Sequence, residues 1–128
     1  MSDKFTVEII APNKTILKAE TSEVTIPSYE GQIGILKDHI PLITFLRPGI
    51  ITLENQEKKY YVEEGTVEFS NNNLLILTST AKNLAELNQN SIEDLLSAAE
   101  SQFNDNNSSD KEKYISSYKI STLKEINQ

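Results

Sequence analysis

The chain has 128 residues, 12 lysines plus arginines against 19 acids, and a net charge of -7. That size suits one ordinary domain, or a small domain with an appendage, and the acidic balance argues against nucleic acid as a partner, because phosphate contacts need a positive surface. Cysteine is absent, which excludes a disulfide framework and thiolate metal sites, and Arg47 is the only arginine, which disfavours a site built to clamp phosphate.

The opening Met1-Ser2-Asp3-Lys4-Phe5 carries no basic block followed by an apolar one, so it does not read as a secretory signal or a transit peptide. Phe5, Val7 and Ile9 then alternate with polar residues, as a half-buried strand requires. Val24 and Ile26 repeat the pattern, as do Val67 and Phe69. Ile50-Ile51-Thr52-Leu53 and Tyr60-Tyr61-Val62 are short runs rich in β-branched or aromatic residues. Leu74-Leu75-Ile76-Leu77 is the longest apolar stretch; it is strand-sized, far short of the roughly 20 residues that span a bilayer, so any membrane association should be peripheral, without lipid insertion. Turn signals separate these runs: Ala11-Pro12-Asn13, Glu30-Gly31, Pro48-Gly49, Glu54-Asn55-Gln56, Glu64-Gly65 and Asn71-Asn72-Asn73. Short strands with closely spaced turns predict a β-sandwich or barrel.

The hydrophobic period changes near residue 85. Residues 81–90 read as a joint. Ser91-Ile92-Glu93-Asp94 reads as a capping box opening a helix, and Ile92, Leu95, Leu96, Ala99 and Phe103 form its apolar stripe. Asn104 to Ser108 is a polar loop, and Ser109-Asp110-Lys111-Glu112 offers a second capping box. The helix after it is weaker: Tyr114, Ile115, Tyr118, Leu123 and Ile126 make a rough stripe, interrupted by Ser116, Ser117, Ser121 and Thr122. The expected organisation is a β-sandwich over 1–84 and a two-helix antiparallel hairpin over 85–128.

No catalytic constellation assembles from this sequence. His39 is the only histidine, and a general base or a metal site needs partners that it lacks; a histidine that hydrogen-bonds a turn is the expected role. Gly31-Gln32-Ile33-Gly34 is a GxxG, which in other settings clamps a nucleic-acid backbone, but beside Glu30 and without a basic cluster it reads as a sharp turn between strands. Glu63-Glu64 reads as a solvated edge, since adjacent strand residues face opposite ways. Lys111, Lys113, Lys119 and Lys124 read as the solvated face of a helix, or as candidates for an acidic partner.

Pro27 to Pro41 reads Pro-Ser-Tyr-Glu-Gly-Gln-Ile-Gly-Ile-Leu-Lys-Asp-His-Ile-Pro. It resembles the signature of the epsilon subunit of F-type ATP synthases (the delta subunit of mitochondria), roughly Pro-x-x-Glu-Gly-x-x-Gly-Ile-Leu-x-x-His-x-Pro. Phe5-x-Val-x-Ile leading to Ala11-Pro12, then Leu46-Arg47-Pro48-Gly49 and Glu64-Gly65-Thr66-Val67-Glu68, resemble further family motifs in order. The likeness covers nearly the whole chain and is most specific through residue 80. It implies a ten-stranded β-sandwich followed by two helices, in a non-catalytic, cofactor-free rotor protein that is a monomer in isolation. It implies binding to the gamma subunit and to the c-ring, at the cytoplasmic face of a bacterial inner membrane. Tyr29, Glu30, Gly31, Gln32 and Ile33, with His39, match the ring-facing region. The four lysines match the region that in some members meets the catalytic beta subunit and regulates ATP hydrolysis. Some members bind ATP through Ile/Leu-Asp-x-x-Arg-Ala. The matching positions, Ile92-Glu93-Asp94-Leu95-Leu96-Ser97, lack the aspartate, arginine and alanine, and no arginine occurs in 48–128, so ATP binding is not expected. The alternative reading is a free-standing β-sandwich module that binds another protein.

Overall fold

The computed structural model describes residues 3–54 and 57–127. It divides into two compact units, Met1–Leu84 and Ala85–Gln128. In the first, ten strands follow one another: β1 (Phe5–Ala11), β2 (Lys14–Thr21), β3 (Glu23–Ser28), β4 (Gly31–Leu36), β5 (Leu42–Leu46), β6 (Gly49–Leu53), β7 (Lys58–Val62), β8 (Gly65–Ser70), β9 (Asn73–Leu77) and β10 (Lys82–Asn83). The second holds α1 (Gln89–Asn104) and α2 (Asp110–Ile126).

The strands form a curled sheet that folds into two layers. One layer runs β10-β7-β6-β3, with β4 on the other side of β3; the second runs β5-β8-β9-β1-β2. A single residue pair, Ser28 with Leu46, joins them, so the chain turns from one layer to the other at that corner. All pairings are antiparallel except β1 with β9. Inward residues of both layers meet in one cluster: Phe5, Val7 and Ile9 of β1, Val24 and Ile26 of β3, Ile51 and Leu53 of β6, Val67 and Phe69 of β8, and Leu74 and Ile76 of β9 all belong to it. Phe5 and Phe69 meet edge to face with ring centroids 5.5 Å apart. This is the expected ten-stranded β-sandwich followed by two helices.

Several local expectations change. The GxxG lies within β4, and the turn sits earlier, at Tyr29 and Glu30. The joint contains β10, two residues pairing with Tyr60 and Tyr61 of β7. Of the turn expected at Glu54-Asn55-Gln56, residues 55 and 56 lie outside the described residues, as do Met1 and Ser2 of the opening segment. The Glu64-Gly65 corner needs glycine for a visible reason: a Cβ on Gly65 would stand 2.6 Å from the Leu77 carbonyl oxygen.

The first helix starts before the predicted capping box. Asn88 is the N-cap, its side chain accepting from the Ser91 N–H at 2.8 Å, so Ser91 lies inside the first turn. The second capping box forms as read: Ser109 Oγ accepts from Glu112 N–H at 3.1 Å, and the Glu112 carboxylate accepts from Ser109 N–H at 2.9 Å. Of the predicted α2 stripe, Leu123 is fully buried and Ile115, Tyr118 and Ile126 are half-buried, but Tyr114 is exposed, and the interrupting Ser116 and Thr122 are buried with Leu123. Ser116 is tolerated there because its hydroxyl donates to Gln102 Oε1 of α1 at 3.1 Å, which leaves no orphaned polar group.

Candidate interaction surfaces

The Tyr29–Glu30 turn is rigid by its own hydrogen bonds. Ser28 is fully buried; its hydroxyl donates to the Gly31 carbonyl at 2.7 Å and accepts from the Glu30 N–H at 3.1 Å. The Tyr29 N–H donates to the Phe45 carbonyl, tying the turn to β5. Gly31 has φ +114°, which side-chain-bearing residues rarely adopt, so the sharp reversal depends on glycine. Tyr29, Glu30 and Gln32 are exposed, whereas Ile33 is half-buried and packs against the core.

His39 does not join this group. Ser28 pairs with Gly31 at one end of the β3–β4 hairpin and Glu23 with Leu36 at the other, and His39 follows Leu36. Six residues of strand separate the two ends, roughly 20 Å. The loop and His39 therefore occupy different surfaces, which adjacency in the motif concealed. His39 holds its own turn: its N–H donates to the Leu36 carbonyl at 3.1 Å, its Nδ1 lies 2.7 Å from the Ile40 carbonyl oxygen, and its ring meets Phe69 edge-on at 5.9 Å.

A surface that the sequence reading missed is the outer face of the second layer. Ile43 and Phe45 of β5 and Leu77 of β9 are 74%, 60% and 45% exposed, and Ile40 just before β5 is 75% exposed. The register aligns them in rows. Phe45, Thr66, Leu77 and Ile10 are successive cross-strand partners, and the next row reads Ile43, Glu68, Leu75, Glu8, Lys18. Apolar residues on both faces of β5 and β9 were the available signal, since a strand facing water on one side should alternate.

Glu63 is more than a solvated acid. Its carboxylate accepts from the hydroxyl of the fully buried Tyr61 at 2.9 Å. Burial first, then the charge of Glu63, holds the Tyr61 phenol un-ionised far above the ordinary tyrosine range. Glu63 N–H donates to Thr80 Oγ1, and Thr78 Oγ1 donates to the Glu64 carbonyl, so this network fixes the β7–β8 corner.

In the hairpin unit, Lys113 is engaged: its ammonium donates to the carbonyls of Phe103 at 2.7 Å and Asp105 at 3.2 Å, capping the end of α1, and lies 5.7 Å from the Phe103 ring centroid. Lys111 and Lys124 are exposed and Lys119 is half-buried. Glu93, Asp94 and Ser97 are exposed on α1, with Leu95 and Leu96 half-buried. A shallow groove lies between Glu100, Phe103 and Asn104 of α1 and Ser117, Ile120 and Lys124 of α2. Among the described residues no acid–histidine cluster could hold a metal ion, and no helix is long and apolar enough to cross a membrane.

Comparison with known proteins places this architecture. Residues 4–84 match the family model of the ATP synthase delta/epsilon chain, β-sandwich domain. The chain is 45% identical to the ATP synthase epsilon chain of Pelagibacter ubique over 130 aligned positions, covering 99% of this chain and 100% of that one. It is 34% identical to the epsilon chain of Dichelobacter nodosus, covering 78% of this chain and 72% of that one. A chain in the cryo-EM structure of the Euglena gracilis mitochondrial ATP synthase, OSCP/F1/c-ring, shares the fold with a TM-score of 0.74 at 19% identity, covering 97% of this chain and 79% of that one. With the family model spanning most of its length and a relative alike from end to end, the chain belongs to the ATP synthase epsilon-chain family.

Proposed function

We propose that this chain is a non-catalytic coupling piece of the rotor, docking the gamma subunit with the outer face of its second layer and the c-ring with its Tyr29–Glu30 turn. The observation that carries this reading is the row of exposed Phe45 and Leu77 with half-buried Ile10, and exposed Ile43 beside it, on a sheet stiffened from behind by the core. A coupler that transmits torque needs such a broad, rigid, adhesive face and no reacting groups. The exposed Tyr29, Glu30 and Gln32 suit polar c-ring loops, which meet a protein turn in water and require no entry into lipid. His39 and Ile40, at the far end of the β3–β4 hairpin, fall to the gamma side in this arrangement. The chain then sits peripherally at the cytoplasmic face of a bacterial inner membrane and is a monomer when isolated.

The hairpin acts at most as a weak brake. Lys113 is committed to α1, and exposed ion pairs from Lys111, Lys119 and Lys124 to an acidic beta-subunit surface contribute about 0–1 kcal/mol each. ATP is not a ligand, because position 96 presents leucine where phosphates would need a cation. The full-length kinship favours the stalk over a free-standing binding module.

Cysteines placed at Glu30 or Gln32 should cross-link to c-subunit loops in the assembled enzyme. Cross-links only to the catalytic head would mean that the sandwich is mounted the other way up.

A further inference from the structure

Of the motif Glu64-Gly65-Thr66-Val67-Glu68, the corner and the core absorb the first residues: Glu64 and Gly65 make the turn and Val67 points into the sandwich. Glu68 is left without a structural task. It is exposed on β8, and among the described residues its carboxylate has no hydrogen bond or ion pair. Its cross-strand neighbours are apolar on both sides, Ile43 of β5 and Leu75 of β9, with the apolar row of Phe45 and Leu77 beside it. A lone carboxylate there stabilises nothing in the free chain; exposed strand positions favour β-branched residues such as its neighbour Thr66.

We infer that Glu68 is the specificity-determining charge of this face, receiving a lysine or arginine that the gamma subunit presents from within an apolar surface. Glu8, the next carboxylate along the same row, lies beyond Leu75 and roughly 10 Å from Glu68 with Lys18 opposite it, so Glu68 is the acid of this row that has only apolar cross-strand neighbours. Ile43, Leu75 and Leu77 exclude water once a partner is seated, and a charge pair enclosed by such a ring is strengthened by the loss of screening. An apolar surface alone would bind many partners; an unpaired acid in its midst rejects any that brings no cation, because the carboxylate would be buried unpaired. This rests on the proposed docking of gamma to the outer face, and the two ideas fail differently.

The test is the affinity of the full chain for the cognate catalytic head, containing gamma but stripped of this subunit, at low and at high salt. Glu68→Gln should weaken binding at least about tenfold at low salt and keep most of that loss at high salt, because an enclosed pair is little screened. Asp94→Asn, which removes one exposed charge from α1, should weaken binding at neither salt. Phe45→Asp should abolish binding. If Phe45→Asp abolishes binding while Glu68→Gln matches the unaltered chain, the interface stands and the role of Glu68 is overturned. If Glu68→Lys, which sets like charge against the partner's cation, weakens binding no more than Glu68→Gln, no cation is being read and the inference fails. If Phe45→Asp binds normally, the face is not the interface and both ideas fall. Glu68→Thr, a strand-favouring residue, repeats the measurement should glutamine disturb the fold.

Discussion

Asp38 and Asn72 grip one another across the gap between the β4–β5 and β8–β9 turns. The Asp38 N–H donates to Asn72 Oδ1 at 2.7 Å, and Asn72 Nδ2 donates back to Asp38 Oδ1 at 3.0 Å. Both residues sit in the left-handed region, at φ 66° and 59°, which aspartate and asparagine tolerate better than other side chains. The clamp holds the turn that carries His39 and Ile40. Asn72→Ala removes both bonds and places alanine in a left-handed conformation, so the sandwich should lose about 1–3 kcal/mol. Denaturant unfolding of the two proteins measures it, and the His39 ring resonances should broaden as the turn loosens.

Tyr61 gives the chain an alkaline limit. Its ionisation is raised in the folded state, so the stabilisation is fully present below about pH 10, the ordinary tyrosine range, and is lost as pH rises beyond it. Thermal melting should therefore fall steeply above about pH 10. Tyr61→Phe should flatten that fall, while losing about 1–2 kcal/mol at neutral pH with its hydrogen bond to Glu63.

The capping box of α2 sets an acid limit in the other unit. The Ser109 backbone N–H, then its hydroxyl and Gln102, hold the Glu112 carboxyl below its ordinary range. A depressed acid contributes above its unfolded value, and that contribution disappears as pH falls through the folded one. Amide protection in the first turn of α2, taken relative to the intrinsic exchange rate at each pH, should fall on acidification below the ordinary glutamate range. In Glu112→Gln that pH dependence should vanish.

The legible and the hidden parts of this molecule divide by physics. β1, β8 and β9 were readable because Phe5, Val7, Ile9, Val67, Phe69, Leu74 and Ile76 feed one core. β4 was obscured because Gly31 and Gly34 interrupt it, leaving only Ile33 and Ile35 inward, and β10 because two residues carry no period. β5 was hidden by its outward Ile43 and Phe45, which blur alternation for the sake of an exposed face. The start of α1 slipped because Asn88, Ser91 and the acids behind it offer competing caps, and only the observed Asn88–Ser91 bond decides between them. The residues proposed to face the ring were named as a string, but whether His39 shared their surface depended on β4 being extended, which the motif alone did not reveal.

Complex formation with the cognate gamma subunit tests the central claim most directly. The chain and gamma, mixed and passed through a sizing column, should elute together at one-to-one stoichiometry, and Phe45→Asp should release the chain as a monomer with an unchanged melting temperature. If the unaltered chain and gamma elute apart, or if Phe45→Asp remains in the complex, the outer face of the second layer does not couple this protein to the stalk.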